Sequence, residues 1–282
     1  MNFPDIWFYY LNIRFYNVSR VAISLFGLNI YWYGVIIAFA VFLGSYITTR
    51  EAKRTGQNPE IYSDFLFWII PGGIIGARLY YIIFSSSQNI TDIFDFRTGG
   101  LAIYGMIIGS TIMAFLFCKR RKINFGKLLD TSVFALVLGQ SIGRFGNFIN
   151  REAFGVYTNN IFALRYRVDQ LNFLPPELAN TIINYNGVDY VQVHPTFLYE
   201  SFFNLILFTF LIFFRKHKKF EGHLLMIYLV GYGTVRAFLE TLRTDSLMIG
   251  QFRVSVIFSI IIVVLGILGI LYNLKVKKVQ GN

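Results

Sequence analysis

The chain has 282 residues, 55% of them hydrophobic and only 15% charged, with a mean hydropathy of +0.53. Soluble domains are about 45–50% apolar and about 25% charged, so these values exclude an ordinary soluble domain and indicate a polytopic helical membrane protein. The net charge of +11 would suit a nucleic-acid partner, but none is expected. The lysines and many of the arginines gather in four clusters that end or separate apolar runs, the positive-inside pattern of cytoplasmic ends.

Residues 1–28 are aromatic and mixed and read as an external amphipathic arm, with Trp7, Phe8, Tyr9 and Tyr10 at the membrane–water boundary. A short extra span is the alternative. Residues 29–149 hold four transmembrane helices. The first, about 30–49, has Tyr33 at its outer end and leads to Arg50, Lys53 and Arg54. The second, about 63–84, contains PGGIIGARLYY, in which Pro71 and the glycines should bend or thin the helix and admit a neighbouring backbone. Its Arg78 either snorkels at the helix end or faces a polar cavity. The loop 85–98, with Asp92, Asp95 and Arg97, should be external. The third span, about 99–118, opens with GGLAIYG and leads to Lys119, Arg120, Arg121 and Lys122. The fourth, about 127–149, runs into GQSIGRFGNFINREAFG at 139–155.

Residues 150–193 are too polar to span and form an external head domain. FALRYRV and VDYVQV have strand character there, with Pro175–Pro176 and Asn186–Gly187 as turn signals. Residues 194–282 hold the last three spans, about 194–214, 223–242 and 254–274, and a basic cytoplasmic tail. His194–Pro195 reads as the start of the fifth span. The expected fold is an all-α polytopic membrane protein: seven transmembrane helices and a small external mixed α/β head region. Charge pattern and span number both put the N-terminus outside and the C-terminus in the cytoplasm. No cleavable signal peptide is expected, because a basic start, apolar core and small-residue cleavage site are missing from the first residues.

Polar residues inside these spans are the functional candidates, because lipid does not tolerate them. Arg144 lies between glycines, which bring backbone close to a ligand while Arg supplies a fork of donors for phosphate. Asn147 shares its helix face, and Asn150 and Glu152 follow at the exit. A polar helix end packed on the head is the structural alternative. In the fifth span, Glu200 is either a functional carboxylate or a structural partner of Arg144 or Arg236. His194 is either a base or an interfacial helix cap. In the sixth, Tyr232, Arg236, Glu240 and Arg243 follow helical spacing along one face. An Arg236–Glu240 pair would neutralise itself and leave Arg243 and Arg144 for an anion. An intramembrane Arg costs about 2.5–3.5 kcal/mol on insertion scales, so each needs a reason. The three histidines give no metal-ligand spacing, Cys118 is the only cysteine and reads as structural, and no phosphate-cradling P-loop occurs. Neither cofactor nor metal is expected. The lipid bilayer is the surrounding partner.

Six segments resemble the prolipoprotein diacylglyceryl transferase family of bacterial membrane enzymes: YWYG at 31–34, PGGIIGARLYY at 71–81, GGLAIYG at 99–105, GRFGNFINREAFG at 143–155, HPTFLYE at 194–200 and YGTVRAFLETLRTD at 232–245. The resemblance implies transfer of the diacylglyceryl group of phosphatidylglycerol to the lipobox cysteine of prolipoprotein signal peptides. A thioether forms and glycerol phosphate leaves, towards the outer face of the cytoplasmic membrane. It makes Arg144 the phosphatidylglycerol-binding residue and marks Asn147, Glu152, Arg236, Glu240, Arg243, Tyr232 and Tyr33. The family often has a His where this chain has Tyr104, so the thiol's base is expected to be Tyr104 or His194. Glu200 and Arg78 complete the expected substrate-binding set. The competing function is an anionic-lipid transporter or flippase, which performs no covalent chemistry.

Overall fold

The computed structural model describes residues 3–84, 100 and 102–280. Among these, seven long helices follow the apolar runs: α1 (Trp32–Arg54), α2 (Glu60–Phe84), α3 (Ile103–Arg121), α4 (Phe125–Asn150), α6 (Thr196–Phe214), α7 (His223–Glu240) and α8 (Val254–Gln280), with a one-turn helix α5 (Pro176–Ala179) between the fourth and fifth. Five helical segments, Trp32–Arg54, Glu60–Phe84, Ile103–Arg121, Thr196–His217 and Val254–Val276, are long and apolar enough to cross a membrane. The other two long helices, α4 and α7, are the ones carrying Arg144 and the Arg236–Glu240 pair, and these charges lower their hydropathy. The expected loop 85–98 lies outside the described residues.

The chain divides into two compact units, Met1–Gly44 with Val133–Asn282 and Ser45–Ser132. In the first unit, a five-stranded antiparallel sheet has the order β2 (Ile13–Phe15), β1 (Ile6–Phe8), β5 (Leu164–Arg167), β7 (Val188–Val193), β6 (Ile183–Tyr185). The strands expected in FALRYRV and VDYVQV are β5 and β7. Asn186 and Gly187, both at positive φ (50° and 86°), close the β6–β7 hairpin as a two-residue turn. The N-terminal segment contributes β1 and β2 to this sheet, a long-range pairing that the local pattern did not disclose.

The sheet buries Ile6, Leu164, Tyr166, Val191 and Val193 together with Leu178, Phe154 and Phe197. Full burial of each aliphatic or aromatic side chain contributes about 1.5–3 kcal/mol, enough to fix the segment that supplies it. Phe148 of α4 stacks against Phe8 and lies 6.1 Å from Phe197 of α6. The end of α4 and the start of α6 are therefore both anchored to one core. Two hairpins, β3–β4 (Val21–Leu25, Leu28–Tyr31) and β8–β9 (Met248–Ile249, Phe252–Arg253), lead directly into α1 and α8.

The second unit contains α2, α3 and the adjoining ends of α1 and α4. Its core joins Ala52, Tyr62, Phe65, Ala114, Phe117, Cys118 and Leu128. Helices α2 and α3 meet backbone to backbone: a Cβ on Gly105 would stand 2.3 Å from the Gly76 carbonyl oxygen, and one on Gly109 2.3 Å from that of Gly72. Only glycine permits this approach. Pro71 is accommodated within a continuous α2.

Candidate active site

Glu200 stands about one turn into α6 and is almost inaccessible, at 1% exposure. One of its oxygens accepts from Arg144 Nη2 of α4, the other from Arg236 Nη1 of α7 at 3.1 Å. Three helices thus meet at one carboxylate. Arg236 also pairs with Glu240 one turn along α7, Nη2 to Oε2 at 2.6 Å, close but not aligned as a hydrogen bond. The backbone carbonyl of Glu240 in turn accepts from Arg253. Ser141 of α4 and Ser201 of α6 donate to one another's backbone carbonyls (2.9 and 2.8 Å) and clamp these two helices one turn from Arg144.

The carboxylates lie beneath the guanidiniums. The side chains of Glu200 and Glu240 keep 2% and 1% of their exposure, against 21% for Arg144 and 16% for Arg236. Two cations and two anions sum to zero, and the more accessible layer is the cationic one. A neutral cluster with its positive side outermost can receive an anion without a naked charge waiting for it.

Arg144 Nη1 also donates to Asn147 Oδ1 at 3.3 Å. Asn147 Nδ2 donates to Glu152 Oε1 at 2.9 Å, and Asn150 Nδ2 reaches the same oxygen at 3.2 Å. Glu152 folds back onto α4 because the helix closes with a Schellman turn: Glu152 N–H bonds to the Asn147 carbonyl and Arg151 N–H to that of Phe148. That turn needs a left-handed residue, usually Gly, and here it is Arg151 at φ 56°, followed at one remove by Ala153 at φ 57°. Such a conformation costs about 1–2 kcal/mol for an L-residue.

Tyr33, in the first turn of α1, lays its ring on Gly146, where an added Cβ would come within 2.4 Å of it. Tyr232 stacks on Tyr228 at 5.5 Å, and Tyr228 accepts from Gln140 Nε2 at 2.8 Å. Gln140 and Tyr228 were not foreseen, although Gln140 precedes Arg144 by one helical turn and shares its face. Arg243 falls beyond the end of α7. Its fork is filled by Asp245, Nε to Oδ1 at 2.8 Å and Nη2 to Oδ2 at 2.7 Å, so it is not the available cation that helical spacing suggested. Burial pushes the Asp245 carboxyl up, but Arg243 outweighs it and holds the group below its ordinary value.

His194 lies two residues before α6. Asn160 donates to its Nδ1 at 3.2 Å, and the direction is set because Asn160 Oδ1 already accepts from Phe162 N–H. The imidazole lone pair at Nδ1 is therefore engaged. Burial lowers the His194 pKa, keeping the ring neutral. Arg78 and Tyr104 belong to the other unit. Arg78 is buried in α2, donates to Gly100 O at 3.3 Å and lies over the Tyr81 ring, and Tyr104 packs near Tyr80 at the start of α3. Among the described residues no group of His, Cys, Asp and Glu is arranged to hold a metal ion.

Apolar helices that bury an ordered Arg–Glu network define a polytopic membrane protein with a polar site inside its helical part. The chain belongs to the prolipoprotein diacylglyceryl transferase family, whose model matches residues 20–272. It is 42% identical over 265 residues to the phosphatidylglycerol–prolipoprotein diacylglyceryl transferase of Finegoldia magna, covering 93% of this chain and 97% of that protein. The protein of the same name from Clostridioides difficile strain 630 is 42% identical over 264 residues (93% and 98% covered), and that of Bacillus mycoides 41% over 261 (92% and 93%).

Proposed function

We propose that this chain transfers the diacylglyceryl group of phosphatidylglycerol to the lipobox cysteine thiol of a prolipoprotein in a bacterial cytoplasmic membrane. The observation that carries this reading is the accessible pair of guanidiniums, Arg144 and Arg236, held from two helices by the buried Glu200. All seven long helices span, the N-terminus and sheet lie outside, and the basic ends lie in the cytoplasm. The site then sits in the outer half of the bilayer, where a signal-peptide cysteine emerges.

The thiolate sulfur attacks the glycerol carbon that bears the phosphate. A carbon–sulfur bond forms, the carbon–oxygen bond to phosphate breaks, and glycerol phosphate departs with the electron pair. Arg144 holds the headgroup phosphate, and Arg236 stabilises the charge that grows on the bridging oxygen. Glu200 and Glu240 orient the two arginines, while Glu152 acts through Asn147. Tyr33 and Tyr232 line the approach. The thiol, with an ordinary pKa near 8.5, must lose its proton. Asn160 occupies the lone pair that His194 would need to accept it, and Tyr104, in the other unit, would accept it only as the phenolate. His194 serves to set the start of α6.

The test is incubation of the detergent-purified chain with phosphatidylglycerol labelled in its acyl chains and a lipobox peptide. Labelled thioether on the cysteine peptide, with none on a serine version, is the expected result. Redistribution of lipid without a covalent product would favour a flippase.

A further inference from the structure

The strained turn after α4 has a second partner, far away in sequence. The Arg151 side chain keeps only 4% of its exposure. Its Nη2 donates to the backbone carbonyl of Val18 at 2.7 Å and stands 3.8 Å from Asp5 Oδ2, and its Nη1 reaches Ile149 O at 3.3 Å. Asp5 is itself buried at 5% exposure and organises the N-terminal segment, accepting from Val18 N–H at 2.8 Å and from Gln170 Nε2 at 2.6 Å. Arg167 Nη1 lies 3.6 Å from its other oxygen. Glycine would suit the left-handed position better than arginine. Arginine brings a side chain that reaches back to Asp5 and Val18, which flank the strands of the N-terminal segment.

We propose that Asp5 and Arg151 form a lock that positions Glu152. The lock ties residues 5–18 to the turn whose next residue bonds Asn147, and Asn147 contacts Arg144. It gives the N-terminal segment a role in the reaction proposed above, and it rests on that reading. Asp5 and Arg151 are positioning residues: their contacts are with Val18, Ile149, Gln170 and Arg167, outside the Arg144–Glu200–Arg236 cluster. Burial lowers the Arg151 pKa, opposed by Asp5, so removal of the Asp5 charge strands a cation in a site that disfavours one. The guanidinium must then move towards water and pull the turn with it. A glycine at 151 removes both the stranded cation and the backbone strain.

The experiment compares the full-length protein with Asp5→Asn, Arg151→Gly and the double variant. It measures amide hydrogen exchange over residues 151–155 and the kcat and KM for phosphatidylglycerol. Asp5→Asn should raise exchange of these amides by about tenfold or more. It should lower kcat by about tenfold while KM changes less than about twofold. Adding Arg151→Gly should return kcat to within about threefold of the parent. Unchanged exchange in Asp5→Asn overturns the lock. So does raised exchange with unchanged kcat, or a kcat that the second substitution does not restore. If the parent chain transfers nothing to a cysteine peptide, the reading of function fails, while the exchange comparison still decides the lock.

Discussion

Glu200 and Asp245 each hold a guanidinium in the same unit, and the two pairs differ in almost everything else. The Glu200 side chain is 2% exposed and joins three helices, whereas Asp245 is 49% exposed and holds Arg243 two residues away. Breaking a buried pair by removing one partner costs about 3–5 kcal/mol, because the remaining charge is stranded. A pair with one partner half in water is worth less, and Asp245 is that partner, although Arg243 keeps only 10% of its exposure. The same kind of contact is thus a site in one place and a local turn restraint in the other. Depth and the number of elements joined make the difference.

Substitution of Glu200 should have the largest effect. Glu200→Ala should reduce transfer by about 10³-fold and destabilise the protein by about 3–5 kcal/mol, checked by a single-turnover assay and detergent thermal unfolding. Arg144→Lys keeps the charge but loses the two-pronged fork. Transfer should fall about 10²-fold with little change in unfolding temperature, and near-parental activity would remove Arg144 from phosphate binding.

If the Tyr104 phenolate takes the thiol proton, Tyr104→Phe changes the pH–rate profile. An unchanged profile would exclude Tyr104 as the proton acceptor. His194→Gln should leave kcat within about threefold, and its effect should appear in stability. The His194 pKa is lower in the folded protein than its ordinary 6.5, so the unfolded chain takes the proton first. The parent protein should therefore lose stability as pH falls below about 6.5 and through the folded value, and the Gln variant should lose less.

Asp245→Asn should have the smallest effect, at most about 1 kcal/mol at neutral pH and none at a pH acid enough to protonate Asp245. The sign follows from the lowered carboxyl: its contribution is present above the ordinary carboxylate value and fades as pH drops through the depressed one.

The helices were legible because their causes are local. Long apolar runs, basic stops and the Asn186–Gly187 turn can be read within a short window, and the described helices begin and end near where those signals fall. Arg144, Arg236, Glu200 and Glu240 could be singled out because charge inside an apolar run demands a partner. Which partner each takes was not local. The spacing of α7 suggested the Arg236–Glu240 pair, but that Glu200 would serve two arginines depends on three helices converging. Helical periodicity extended one turn too far at Arg243, since α7 ends at Glu240 and the next turn folds onto Asp245. The pairing of β1 with β5 spans most of the chain and leaves no trace in the pattern of either segment. Arg151 was hidden for a different reason. A sequence shows an arginine after a helix, not the left-handed backbone beneath it.

The proposed reaction needs one anionic headgroup to rest on the Arg144–Arg236 pair above Glu200. A structure of the protein with phosphatidylglycerol bound tests it most directly. Phosphate oxygens should lie within hydrogen-bond distance of both guanidiniums, with Glu200 still beneath them. Phosphate bound elsewhere, with the Arg144–Glu200–Arg236 bridge closed and untouched, would contradict it.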